Sequence, residues 1–204
     1  MTPPAAVLDT IALEVAPAVV RRRTAVSNAL LGTVMLVATE AMFFAGLLSA
    51  LLILRAGAAA WPPPGQPRLP LAVTGANTLL LLVSGYCMHR ALRAGRAGSP
   101  PSSWLLGAAS LGVSFLAVQG TEWVRLVSYG LRATSGIYGG TFYTLIGAHG
   151  VHVLAGVLVV LGVLLRVRSA PAGEPPLSAL EACNVYWQFV VGVWPLLYVL
   201  VYLT

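Results

Sequence analysis

The sequence predicts an all-α membrane protein, a polytopic bundle of five transmembrane helices. Three observations predict it. Hydrophobic residues make up 58% of the 204-residue chain and charged residues only 9%, where a soluble domain carries about 25% charged residues. Five apolar segments are long enough to cross the hydrocarbon core, which takes about 20 residues of helix. The arginines gather at the ends of those segments, where they anchor and orient spans.

The first span is expected over about residues 28–54. Arg21, Arg22 and Arg23 precede it, as in a signal peptide, but the apolar run exceeds the roughly 7–15 residues of a cleaved core, so it is read as a retained span. Trp61-Pro62-Pro63-Pro64-Gly65 breaks the chain before the second span, about 69–89. Gly98-Ser99-Pro100-Pro101 precedes the third, about 104–123, and Thr134-Ser135-Gly136 the fourth, about 138–165. Pro171-Ala172-Gly173-Glu174-Pro175-Pro176 precedes the fifth, about 180–203. Proline and glycine punctuate helices because proline lacks an N–H and glycine loses most backbone freedom on folding. No connection is long enough to fold alone. The chain therefore divides into an N-terminal tail, 1–26, and one transmembrane domain, 27–204.

Arginine placement sets the orientation. The tail, the second loop (Arg90, Arg93, Arg96) and the fourth loop (Arg166, Arg168) carry eight arginines on one side. Arg55, Arg68, Arg125 and Arg132 make four on the other. The positive-inside rule then places the N-terminus in the cytoplasm and the C-terminus outside, in the periplasm. The net charge of +6 is a by-product of this anchoring, and no nucleic-acid partner is expected. Cys87 and Cys183 both fall near the cytoplasmic side, where a disulfide is not expected.

Glu40 is the residue that composition does not explain. It is an acid midway along the first span, and a charged carboxylate at that depth costs roughly 2.5–3.5 kcal/mol on insertion scales. Glu40 lies 17 residues past Arg23; His149 and His152 lie 17 and 14 residues before Arg166. At about 1.5 Å of rise per residue, the three sit within about a turn of one depth. His149 and His152, three apart, share one face of the fourth span. Glu40 is expected to pack inward toward the fourth span, with His149 or His152 in hydrogen-bond reach. Desolvation favours the neutral acid, donating to a neutral imidazole. Three readings stay open: a structural hydrogen bond, a proton-handling pair, and a metal site that two histidines and one acid supply with a bare minimum of ligands.

The other polar residues have plainer readings. Glu122 stands three residues before Arg125, a spacing that allows a local ion pair. Glu181 opens the fifth span, where the helix dipole favours an acid. His89 and the aromatics Trp61, Trp104, Trp123, Tyr138 and Tyr202 fit the membrane interfaces. Small residues recur in span three (Gly107, Ala108, Ala109, Gly112) and span four (Gly139, Gly147, Gly150, Gly156) and predict close helix approach. The chain shows no phosphate loop, Ser–His–Asp set or CxxC motif. A free-standing proton-linked transporter is the rival reading, although no internal repeat supports it, and Pro195 in span five and the glycines of span four are the only break signals.

Four patches, in order, resemble subunit III of the haem–copper terminal oxidases. They are Thr39-Glu40-Ala41-Met42-Phe43-Phe44-Ala45-Gly46; Gln119-Gly120-Thr121-Glu122-Trp123; Tyr138-Gly139-Gly140-Thr141-Phe142-Tyr143 continuing through Gly147-Ala148-His149-Gly150-Val151-His152; and Glu181 with Tyr186-Trp187-Gln188-Phe189-Val190. The resemblance implies a cofactor-free accessory subunit packed against a catalytic subunit I that holds haem and copper. It also implies support of proton uptake and a structural phospholipid in a cleft. The five-span form is that of many bacterial members, and the Arg-only basic composition suits a GC-rich bacterial genome, so the bacterial cytoplasmic (inner) membrane is the expected location. Relatives of the family also accompany nitric oxide reductases, which keeps that assembly as an alternative. The last span departs from the family pattern: Gln188 stands where a histidine is usual, and Gly192 near the usual aspartate.

Overall fold

The computed structural model describes residues 27–67, 69–171 and 175–203. Its five long helices are α1 (Asn28–Ala56), α2 (Leu71–Arg96), α3 (Ser102–Ser128), α4 (Ile137–Ser169) and α5 (Leu177–Leu197). A π-helical segment, Tyr198–Leu203, continues α5. All five are long and apolar enough to cross a membrane. The fold class is therefore the all-α bundle the composition predicts. The tail with Arg21, Arg22 and Arg23, and Arg68, lie outside the described residues.

Local chemistry sets the helix ends. The Ser27 side chain accepts from Leu30 N–H at 3.2 Å and opens α1, satisfying one of the orphan donors of the first turn. Prolines stand immediately before α2, α3 and α5, where no intrahelical N–H is needed. Gly98 and Gly130 end α2 and α3 in the left-handed region, at φ 70° and 93°. Each lets the next residue bond back into the last turn: Ser99 N–H to Ala94 O at 2.9 Å, and Leu131 N–H to Leu126 O at 2.9 Å. Glycine adopts that backbone without a Cβ clash. These caps explain why α2 runs to Arg96 instead of stopping near residue 89. Arg90, Arg93, Arg96, Arg166 and Arg168 accordingly lie on the last turns of α2 and α4 and not in loops. They mark the arginine-rich end of the bundle.

Helices α2, α3 and α4 pack as successive antiparallel neighbours, and α5 packs against both α2 and α4. Helix α1 rests mainly on α5, touches α4 lightly, and buries only Phe44 and Leu51. The centre is the Trp187 indole of α5. Its Nε1 donates to Ser84 Oγ on α2 at 3.0 Å. Its ring lies over Gly112 of α3 and Gly156 of α4; a Cβ on either would come within 2.8 or 2.7 Å of it. The small residues thus form the sockets for a large aromatic wedge. Trp123 fills a shallower socket at Gly147 and Gly150. Tyr138 and Tyr202, expected at the interface, are instead buried core residues; ring packing against Trp61 and Phe142 outweighs the belt position.

Candidate functional site

Glu40 comes from the middle of α1, the only carboxylate of that helix. It faces α4, where His152 Nε2 lies 2.9 Å from its Oε2. The pair sits at the rim of the bundle, with the side chains 25% and 16% exposed. Phe43 and Phe44, the next residues but two and three along α1, flank the His152 ring with centroids at 6.2 and 5.1 Å. Tyr186 of α5 donates to the His152 carbonyl at 3.3 Å.

The second ring nitrogen decides the chemistry. His152 Nδ1 lies 2.7 Å from Ala148 O. A carbonyl oxygen only accepts, so Nδ1 carries the proton in every state of this geometry. A neutral imidazole then presents a bare lone pair at Nε2, and Glu40 must supply the proton. The alternative is an imidazolium donating to a carboxylate. Both forms hold one shared proton on the Nε2···Oε2 line, and both are neutral as a pair. That neutrality is what makes an acid tolerable at mid-span.

His149 does not join this pair. It is 1% exposed and stacks on Trp194 at 4.9 Å and 27°, with neither ring nitrogen bonded to protein. Three residues of helix put the two rings about 60° apart around α4, enough to send them to different neighbours. Glu122 is buried and pairs with Arg125 at 2.8 Å, while Arg125 stays 63% exposed. Glu181 lies in the second turn of α5 and bonds Arg96 of α2 at 2.8 Å. An inter-helix ion pair, and not the α5 dipole, is therefore its contact. Gln188 Nε2 donates to Gly85 O of α2 at 2.8 Å, so its amide fastens α5 to α2. A Cβ at Gly192 would meet open space. His89 is exposed. Cys87 and Cys183 are both free thiols.

Among the described residues no three His, Cys, Asp or Glu side chains converge as metal ligands. Two grooves open between α1 and α4 toward the end opposite the arginine-rich one. One, about 370 Å³, is lined by Leu47, Ala50, Gly140 and Thr144; the other, about 580 Å³, by Gly57, Trp61 and Tyr138. They share Leu54 and Ile137. The residues that sequence reasoning missed are on α2. Thr74, Asn77, Thr78 and Ser84 are all buried and recur at helical spacing in an apolar span. That spacing was the available signal.

The family model for cytochrome c oxidase subunit III matches residues 16–204. Cytochrome c oxidase subunit 3 of Synechocystis sp. is 38% identical over 176 residues, covering 84% of this chain and 74% of the relative. The Thermostichus vulcanus protein of the same name is 32% identical, covering 85% and 86%. A probable cytochrome c oxidase subunit 3 of Nocardia farcinica is 33% identical, covering 84% and 85%. With five membrane-length helices and this near end-to-end match, the chain belongs to the cytochrome c oxidase subunit III family, the accessory subunits of haem–copper oxidases.

Proposed function

We propose that this chain packs against the catalytic subunit I of a bacterial respiratory oxidase in the cytoplasmic membrane, stabilises it, and keeps proton supply to it reliable. The observation that carries the reading is the family match from residue 16 to residue 204. The one-proton Glu40–His152 contact supports a proton-linked role, because a proton can move along it without creating net charge in the bilayer. Haem and copper are held by subunit I in this reading. The α1–α4 grooves, apolar and with a small-residue floor, suit the acyl chains of a structural phospholipid. The arginine-rich end faces the cytoplasm.

The test is gentle purification of the tagged chain. Haem absorbance and oxygen consumption should accompany it. Stripping this subunit should leave a haem-loaded remainder that starts at near-normal rate and loses activity over turnover. Immediate and total loss in a fully haem-loaded remainder would overturn the accessory reading, as would a Soret band retained by the isolated chain.

A further inference from the structure

The end of the bundle opposite the arginine-rich one holds a polar cluster that the Glu40–His152 pair does not touch. Asn77 and Gln119 are 2% and 4% exposed. The Asn77 Nδ2 donates to Phe115 O at 3.1 Å. The Gln119 Nε2 donates to Tyr202 Oη at 3.2 Å. The carbonyl oxygen of each amide, Asn77 Oδ1 and Gln119 Oε1, has no protein donor. Thr74 Oγ1, 1% exposed, lies beside Tyr202 without a well-formed bond.

Reorienting the amides does not remove the orphans. Flipping Asn77 would set its oxygen against the Phe115 carbonyl, two acceptors face to face. Flipping Gln119 would let Tyr202 donate but leave the amide N–H₂ unpaired. Either way each amide keeps one buried unpaired group. An unsatisfied buried polar atom costs about 1–3 kcal/mol, and buried groups of this kind are met by protein or by ordered water.

These residues share a location. Asn77 is one turn from Thr74 on α2, and Asn77 and Gln119 are tied to the same stretch of α3, Phe115 to Gln119. The π-helical segment aims Tyr202 into that stretch. Tyr202 also lines a cavity of about 260 Å³ with Trp61, Leu69, Leu71 and Tyr138, near the outer ends of α2 and α4. Tyr202 is common to the cavity lining and the cluster.

We propose that Thr74, Asn77, Gln119 and Tyr202 bind ordered internal water, which enters through the cavity that Tyr202 lines. Water supplies the donors that the two amide oxygens lack and can accept from the hydroxyls; a buried water makes two to four such bonds. A cation is the poorer ligand. The four groups are neutral, and a bare charge buried without a carboxylate carries a large desolvation cost.

Hydroxyl-radical labelling of the intact oxidase complex tests this, because radicals generated from a bound water attack its neighbours. Trp194 and Trp187 form a matched pair. Both are fully buried, at 1% and 0% exposure. Trp194 packs against Phe115 and Tyr202 at 4.8 and 6.4 Å, whereas Trp187 is wedged between Gly112 and Gly156. Trp194 should be oxidised several-fold faster than Trp187, and Gln119→Leu should bring it down toward the Trp187 rate. Equal, slow oxidation of both tryptophans in the wild-type complex overturns the proposal. So does a melting midpoint of the subunit that rises when sodium replaces choline, which would assign the site to a cation.

Discussion

Between Glu40 and His152 a single proton does the bonding, and the Ala148 carbonyl, by holding Nδ1–H, leaves Nε2 as the ring nitrogen that shares it. Because Ala148 O holds Nδ1–H at 2.7 Å, an uncharged replacement for Glu40 must donate to the lone pair that a neutral imidazole presents at Nε2. Glu40→Gln can, through its amide N–H, and should leave the melting midpoint of the subunit in the purified complex nearly unchanged. Glu40→Ala cannot, and should lower stability by about 1–3 kcal/mol. A hydrophobic carbodiimide should modify Glu40 in the wild-type complex and leave Glu40→Gln unmodified, read by mass spectrometry of the labelled peptide. Failure of the wild-type residue to react would place the proton on His152. How far this pair was legible in the sequence is instructive. Counting from the arginines put Glu40, His149 and His152 at one depth. It could not choose between the histidines, since both lie on one broad face of α4. The choice is made by α5, whose Trp194 occupies the surface over His149. A ring supplied by a helix 45 residues further on leaves no trace in the spacing of the histidines themselves.

Helices are joined here by aromatic wedges in glycine sockets. Trp187→Ala should cost about 3–5 kcal/mol, the usual range for emptying a buried aromatic site. Gly156→Ala should cost about 1–3 kcal/mol by overpacking against the same ring. Thermal unfolding of the complex checks both, and Gly120→Ala, with open space around its Cβ, is the control that should change nothing. The glycine and alanine runs of spans three and four were readable as close-approach surfaces, but what they receive was not. Trp187 is one of five tryptophans, and periodicity does not say which ring points inward. Helix lengths were misjudged for a related reason. Hydropathy falls off near His89, yet α2 continues to Arg96 until the left-handed Gly98 closes it. In span five, proline was the visible break signal. Pro195 lies inside α5 and the chain passes into a π-helical turn beyond it, which carries Tyr202 inward, so the residue read as an interface anchor became core.

For the molecule as a whole, five spans and their order were open to reading because apolar runs of membrane length are separated by prolines and glycines. The arrangement of α1 was not, since nothing in a uniformly apolar helix tells which stripe is covered. Orientation gives a direct prediction. In the purified vesicle-reconstituted complex, Ser99→Cys at the arginine-rich end should react with a membrane-impermeant maleimide from the cytoplasmic side, and Ser135→Cys from the opposite side; the reverse pattern would invert the topology. The light hold on α1 matters before the fold is complete. Glu40 and His152 are 112 residues apart. At about 5–20 residues per second of synthesis, the acid spends roughly 6–22 s without its imidazole. Of the five helices described, α1 is the first made and the last gripped, because α5, its main neighbour, is the last of them to be made. A chain interrupted during synthesis carries an unpaired acid in the lipid, whereas a completed one does not. The same contact that shares a proton in the mature subunit therefore distinguishes, for whatever surveys nascent membrane proteins, a finished molecule from a fragment.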